Sequence, residues 1–394
     1  MDIHNYKRRL EKTLENIGKS DISKENKETI IQFHDNCFSE GLSVCKTERY
    51  LYDLHKFTKL LNKELKVASK QDIQKVIAEI EKGEWSPHTK HSFKVMIKKV
   101  YRFISGIDEK GVYPENVRWI RTGVKNGHKK LPEDLLIEKE VELMIRNAIG
   151  VRDKALISFL WESGCRIGEI GNMKIKDVVF DEYGAKINLN GKTGSRRIRI
   201  VNSAPYLQEW INQHPRNEHN GYLWTSLKGN SITHNRFSDI LKRTAKRSRI
   251  EKRIYPHLFR HSRATYLASY LTESQMKDYL GWTQSSKMCA VYIHLNGRDT
   301  DNAILKLSGI KVEENKQEQK LKAKQCLRCK TTNQSTNKFC NICGFVLDKD
   351  QADNLIKVEL EKNKYNELLG EVLEDKDVLE MIAKKIKEID LNSN

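Results

Sequence analysis

Six side chains in the second half of the chain have the types and order needed to break and remake a phosphodiester. They are Arg166 in Cys165-Arg166-Ile-Gly-Glu169, Lys192 in Gly191-Lys192-Thr-Gly194, His257 and Arg260 in His257-Leu-Phe-Arg260, Trp282 in Gly281-Trp282, and Tyr292. Cleaving a strand with a protein nucleophile makes three demands. The nonbridging oxygens need positive charge as negative charge builds in the transition state. The nucleophile must lose its proton, and a phenol has a pKa of about 10. The departing 5′ oxygen must gain one. Arg166 and Arg260 answer the first demand, each offering phosphate a planar fork. His257 stands three residues before Arg260, at the start of the same helix or in the turn before it. It can donate to the phosphate or help take the phenol proton. Lys192, at a hairpin tip, is the acid beside the leaving oxygen, with Lys186 the less favoured alternative. Trp282 donates its indole N–H and packs the site, and Tyr292 is the nucleophile. Singly, each signal is weak, since a lysine between glycines is ordinarily a turn residue and one tyrosine of fourteen ordinarily packs a core. The order and separation of all six carry the inference.

Those residues need elements to hold them. Apolar residues at three- and four-residue spacing predict helices over Glu138 to Gly150, Arg152 to Glu162, Ile167 to Met173, Tyr206 to His214, His234 to Arg249, Arg260 to Tyr270 and Thr272 to Leu280. Ile187 and Leu189 alternate with polar residues, as do Ile198 and Ile200. Gly191-Lys-Thr-Gly194 between them predicts a β-hairpin with Lys192 in its turn. A further helix is expected over Thr300 to Leu307. Upstream, five helices are expected: Tyr6 to Ile17, Lys24 to Cys37, Thr47 to Leu61, Ser69 to Lys82 and Ser86 to Ile104. Ser69 with Asp72 reads as a capping pair and Ser86-Pro87 as a helix start. Lys90, Lys94, Lys98, Lys99 and Arg102 lie on or near one face of the last of these. A second basic cluster, Lys242, Arg243, Lys246, Arg247, Arg249, Lys252 and Arg253, comes just before His257. Either could be a solvated face, and the overall charge favours contact with DNA.

The 394 residues carry 71 Lys+Arg against 53 Asp+Glu, a net +18. With a mean hydropathy of −0.67, the composition is that of a charged globular protein of two or three domains. The excess points to a polyanion, most simply nucleic acid. It is uneven. Residues 345–394 hold 13 acids and 8 bases, a net −5, which leaves +23 on the other 344. Met1 to Asp21 is charged throughout, unlike a signal peptide, and no run of 18 apolar residues exists. A reducing cytoplasmic setting, nucleoid-associated when bound to DNA, is expected.

The arrangement resembles the tyrosine recombinases, the phage-integrase family. That family carries an Arg in a G-x-R-x-[GS]-E setting, a Lys on a β-hairpin, H-x-x-R, a Gly followed by His or Trp, and a Tyr about ten residues later. Here these fall on Arg166, Lys192, His257, Arg260, Trp282 and Tyr292, with Glu169 as the supporting acid. The likeness covers roughly residues 24 to 310, and Tyr255 to Ile310 most resembles archaeal integrase-like members. It implies a mainly α fold with a small antiparallel β-sheet. A helical core-binding domain (1–106) and a linker (107–135) would precede an α+β catalytic domain (136–310). It implies that Tyr292 attacks the scissile phosphate, frees a 5′-OH and keeps the 3′ end as a phosphotyrosyl ester. That ester stores the bond energy, so no ATP or divalent metal is needed. Two rounds of exchange on double-stranded DNA would pass through a Holliday junction within a homotetramer on two sites, residues 296–310 docking on a neighbouring subunit. Gly281-Trp282 replaces the more common Gly-His, which keeps an N–H donor but loses a titratable ring and leaves acid–base work to His257 and Lys192. The same residues would serve a type IB topoisomerase-like nicking-closing enzyme, and a zinc-containing DNA-binding regulator with a vestigial site is the third reading.

The family pattern does not explain the rest. Cys326-x-x-Cys329, ten residues, then Cys340-x-x-Cys343 is the spacing of two knuckles around one structural zinc, with Gly344 suited to the second turn. The zinc ribbon spans 325–346. Before it, 311–324 reads as a polar flexible tether. After it, 347–394 reads as an acidic helical tail, with Leu355, Val358, Leu368, Leu369, Val372, Leu379, Ile382 and Ile386 in helical spacing.

Overall fold

The computed structural model describes residues 2–123, 132–191, 194–295, 304–305, 307–309, 321–374 and 376–391. The chain divides into two units, Met1–Pro132 with Thr233–Asn235, and Glu133–Ile232 with Arg236–Asn394.

The first unit is helical: α1 (Tyr6–Lys19), α2 (Lys24–Ser39), α3 (Val44–Leu61), α4 (Lys70–Lys82), α5 (Pro87–Ile104) and the one-turn α6 (Glu115–Arg118). Local signals set the boundaries. Ser69 caps α4 by accepting from the Asp72 N–H, and the Asp72 carboxylate accepts from the Ser69 N–H at 2.9 Å. The Ser86 side chain likewise accepts from the Thr89 N–H at the Pro87 end of α5. The apolar stripes meet in one core around Phe33, Leu51, Leu54, Phe57, Phe93 and Ile97. Part of the segment expected as a linker belongs to that core. Val117 and Ile120 are buried in it, and Tyr113 and Trp119 pack against it. Glycine and proline punctuate this stretch and α6 is a single turn, too short to show a period. Lys125 to Lys130 lies outside the described residues.

The second unit opens with α7 (Glu138–Asn147), α8 (Val151–Ser163) and α9 (Ile167–Gly171). An antiparallel sheet follows, β1 (Val178–Asp181), β2 (Gly184–Gly191) and β3 (Gly194–Ile200), in the order β1-β2-β3. Gly191 pairs with Gly194, so the two strands of the expected hairpin pair as far as their glycines, and β1 is an unanticipated third strand. Four residues with one partner strand leave little alternation to detect. Next come α10 (Ala204–Asn212), α11 (His234–Arg247), α12 (Pro256–Leu267), α13 (Glu273–Leu280) and α14 (Met288–Leu295). α8 is buried on nearly every side, with Leu156, Ile157, Phe159 and Leu160 inside the main core. α14 falls where no helix was expected. The helix expected over Thr300 to Leu307 and the docking segment 296–310 lie largely outside the described residues.

The cysteine module includes a short hairpin of β4 (Lys324–Gln325) with β5 (Thr332–Asn333), Cys326 and Cys329 lying between the two strands. Residues 321–324 are not a free tether. Leu321 is buried in the main core and its N–H donates to Glu138 at 3.1 Å, while the Ala323 N–H donates to Asn202 Oδ1 at 3.0 Å. The Tyr206 hydroxyl on α10 meets Ser335 and Thr336 of the cysteine module at 3.0 and 2.9 Å. Residues 311–320 lie outside the described residues. The tail forms α15 (Lys349–Glu374) and α16 (Lys376–Leu391), with Leu355, Val358, Leu368, Leu369, Val372, Leu379, Ile382 and Ile386 all exposed. No helix among the described residues is long and apolar enough to cross a membrane.

Candidate active site

Three arginines from three elements converge on one turn, and two of them share one buried carboxylate. Arg166 caps α9, and its N–H donates to Glu169 Oε2 at 2.9 Å while Nη1 donates to Glu169 Oε1 at 2.9 Å. Its Nη2 reaches the Gly281 carbonyl at 2.9 Å. Arg196 on β3 approaches Glu169 from the other side, Nη1 and Nη2 lying 2.8 and 2.9 Å from the two carboxylate oxygens, and its Nε donates to the Tyr279 carbonyl at 2.9 Å. Arg260 on α12 donates to the Gly164 and Leu280 carbonyls at 3.0 and 2.7 Å. Glu169 and Arg260 are buried, at 2% and 3% exposed.

The charges settle as this geometry requires. Burial alone would raise the Glu169 carboxyl, but the hydrogen bonds and charges of Arg196, with those of Arg166, outweigh it and hold the carboxyl below its usual range. Burial first, then the neighbouring positive charge of Arg166, lowers Arg260 to about 10. It remains a cation at neutral pH.

The turn after α13 is shaped by Gly281. Its φ of +64° is left-handed, and a Cβ there would sit 2.5 Å from Arg196 Nη1. Only glycine lets the turn close over the arginine and present its carbonyl to Arg166. Trp282 follows, with the Arg260 guanidinium 5.4 Å from its ring centre. The Trp282 ring stacks on Tyr292, centroids 5.6 Å apart and planes within 10°. Tyr292 is buried on α14, and its hydroxyl lies 2.5 Å from Nδ1 of His261. Burial raises the phenol pKa, and the Arg260 charge opposes that rise.

Five of the six predicted residues are described, and Arg166, Arg260, Trp282 and Tyr292 are linked by these contacts together with Glu169. His257 is exposed at the start of α12, its ring edge-on to His261 at 5.1 Å. Lys192, between Gly191 and Gly194 in the sequence, lies outside the described residues. Its alternative, Lys186, is paired with Asp181 at 3.3 Å on β2. Two residues the motif does not single out, Arg196 and His261, make direct contacts within the cluster.

The four cysteines come together: Sγ atoms of Cys326, Cys329, Cys340 and Cys343 all lie within 4.8 Å of one another, with 3.5 Å between Cys326 and Cys343 and between Cys329 and Cys340. Each knuckle turns through a left-handed residue after its second cysteine, Lys330 at φ 61° and Gly344 at φ 71°. The Lys330 N–H donates to the Cys326 carbonyl at 2.9 Å and the Gly344 N–H to the Cys340 carbonyl at 3.0 Å. The set can hold one metal ion.

The basic residues divide. On α11, Lys242, Arg243, Lys246 and Arg247 are exposed, as is Arg249 just beyond it. On α5, Lys90, Lys94, Lys98 and Arg102 are half-buried, and the three lysines are engaged within their own unit.

Residues 135–298 match the phage integrase family. The chain is 26% identical over 280 residues to the tyrosine recombinase XerD of Bifidobacterium longum, covering 65% of this chain and 88% of that one. It is 24% identical over 266 residues to a tyrosine recombinase of Thermosipho africanus, covering 66% and 91%. A probable integrase/recombinase protein of Methanocaldococcus jannaschii is 28% identical over 174 residues, covering 42% and 52%. Among solved structures, XerH site-specific recombinase bound to palindromic difH substrate aligns with a TM-score of 0.54 at 19% identity, over 78% of this chain and 97% of that one. A lambda integrase tetramer bound to a Holliday junction aligns at 0.54 and 14% identity, over 67% and 76%. These structural likenesses establish the fold.

Proposed function

We propose that this chain, which belongs to the phage integrase family of tyrosine recombinases, cuts and rejoins DNA through a 3′-phosphotyrosyl ester on Tyr292. It is a site-specific DNA strand transferase acting on double-stranded DNA. The observation that carries the residue assignment is the line of contacts Glu169, Arg166, Gly281-Trp282, Tyr292, with Arg260 over the indole. Arg166 and Arg260 bind the nonbridging oxygens, and Trp282 orients Tyr292 and donates to the phosphate. Lys192 protonates the 5′ oxygen from the hairpin tip. Neither ATP nor a divalent metal is needed for the chemistry. The assembly is a homotetramer on two sites, a reading supported by the lambda integrase tetramer bound to a Holliday junction, and the setting is the cytoplasm with its DNA.

The test uses nicked suicide duplexes with a randomised core, which trap the covalent complex when the short fragment bearing the free 5′-OH diffuses away. The protein should yield a denaturant-stable adduct whose junction sequences define the site. Tyr292→Phe should yield none while retaining duplex binding. Adduct formed by the Tyr292→Phe variant would overturn the assignment.

The four cysteines suit zinc. Sulfurs on a tetrahedron with bonds of about 2.3 Å stand ~3.8 Å apart, and four thiolates leave no open position, so the role is structural. The module supports DNA or partner contact from its seat on α10. Purified protein should carry one zinc per chain, and Cys340→Ser should lose it. Metal-free protein with unaltered folding of residues 321–348 would rule this out.

A further inference from the structure

The imidazole at the Tyr292 hydroxyl belongs to His261, the residue after the H-x-x-R arginine. Its Nδ1 lies 2.5 Å from Tyr292 Oη, and the rings are 5.9 Å apart. Neighbouring helices bring the two together, His261 from α12 and Tyr292 from α14. The phenol is otherwise confined, buried to 3% exposure and stacked on Trp282. A phenol with a pKa of about 10 is almost wholly protonated at neutral pH. Burial pushes Tyr292 higher still, so attack from this pocket needs a base already in contact.

We infer that His261 is the general base that takes the Tyr292 proton during strand cleavage. The inference rests on Tyr292 being the nucleophile. To accept at Nδ1, the ring carries its own proton on Nε2. As the Oη–P bond forms, the Oη–H proton passes to Nδ1. The P–O5′ bond breaks with its electron pair on O5′, which takes a proton from a separate acid, the role given to Lys192. Rejoining runs in reverse: O5′ attacks phosphorus and gives its proton back to the neutral Lys192 amine, and Tyr292 leaves and recovers its own from the His261 imidazolium. Three groups surround this exchange. The His257 ring stands edge-on to His261 at 5.1 Å, the Arg260 cation on α12 favours the phenolate, and the Cys289 thiol on α14 opposes it.

The experiment uses the duplex recovered from the randomised pool, and the same duplex with sulfur replacing the scissile 5′ oxygen. Sulfur leaves as a thiolate without needing a proton, so it relieves a missing acid and not a missing base. His261→Ala should slow adduct formation by about a hundredfold or more on both duplexes, and added imidazole should restore much of the rate. His261→Asn keeps a hydrogen-bonding group near the hydroxyl but cannot take its proton, and should be as slow. Lys192→Ala should be slow on the oxygen duplex and fast on the sulfur one. Cleavage at the unaltered rate by His261→Asn, or rescue of His261→Ala by sulfur, would remove the base role. In either case adduct on Tyr292 still stands. Absence of any adduct from the unaltered protein sinks nucleophile and base together.

Discussion

The arginines gathered around Glu169 and the Gly281 turn and the basic residues of α11 are the same kinds of cation in opposite settings. The Arg196 and Arg260 side chains are buried. Their donors are committed to fixed acceptors: the Glu169 carboxylate and the carbonyls of Tyr279, Gly164 and Leu280. On α11, Lys242 and Lys246 stand exposed, Arg243 pairs with Asp239 at 3.2 Å, and Arg247 reaches the Asn147 carbonyl at 3.0 Å. Burial is costly for a cation unless every donor is paired, so a buried arginine is held in one position. Exposure costs little and fixes little. The first setting suits charge that must meet a transition state in one geometry. The second suits charge that holds a polyanion at any register.

Removing one buried cation is the harshest trial of that contrast. Arg196→Ala leaves Glu169 with a single guanidinium and frees the Tyr279 carbonyl. The loss should be roughly 3 kcal/mol of stability, by analogy with other broken buried pairs. Adduct formation should fall with it, because Arg166 shares that carboxylate and the turn at 279–281 loses one of the arginines that hold it. Arg196→Lys should recover little, since one ammonium cannot span two carboxylate oxygens and a carbonyl. Chemical denaturation beside the suicide-duplex rate reads both effects. Unaltered stability and rate in the Arg196→Lys variant would show that the fork geometry is unimportant.

Arg196 also shows how much of the site was legible. The alternation that puts Ile198 and Ile200 on one face of β3 puts Arg196 on that face too. Its cross-strand partner is the buried Leu189. Period two therefore places an arginine on the core side of the hairpin, and such an arginine requires a carboxylate. The motif does not contain it, so the signal lay in the strand pattern alone. Arg166, Arg260, Trp282 and Tyr292 were legible because spacing along the chain carries them. The contact of His261 with Tyr292 was not, because it depends on how α14 lies against α12. The packing of Val117 and Ile120 was hidden for a related reason, since a one-turn helix has no period. The seat of the cysteine module on Tyr206 rests on partners more than a hundred residues apart.

A gentler trial compares exposed cations with engaged ones. Lys246→Gln on α11 should weaken duplex binding and lower the slope of log affinity against log salt by about 1, if that lysine neutralises one phosphate. The cleavage rate of saturated complex should hold, because nothing at Tyr292 changes. On α5 the same substitution meets different surroundings. Lys94 is paired with Glu81, and the Lys90 ammonium donates to the Glu81 carbonyl at 2.7 Å. Lys98 lies over the Tyr113 ring at 4.0 Å, and burial lowers its pKa. These lysines already spend their charge inside the first unit. To meet a phosphate, Lys94 must leave Glu81, and the carboxylate it abandons repels the same phosphate. Lys94→Gln should therefore move the salt slope much less than Lys246→Gln and cost at most about 1 kcal/mol of stability. Titrations of both proteins at several salt concentrations decide the matter. Equal slopes would mean that Lys94 gives up Glu81 for DNA, and that an internal ion pair does not remove a lysine from the grip.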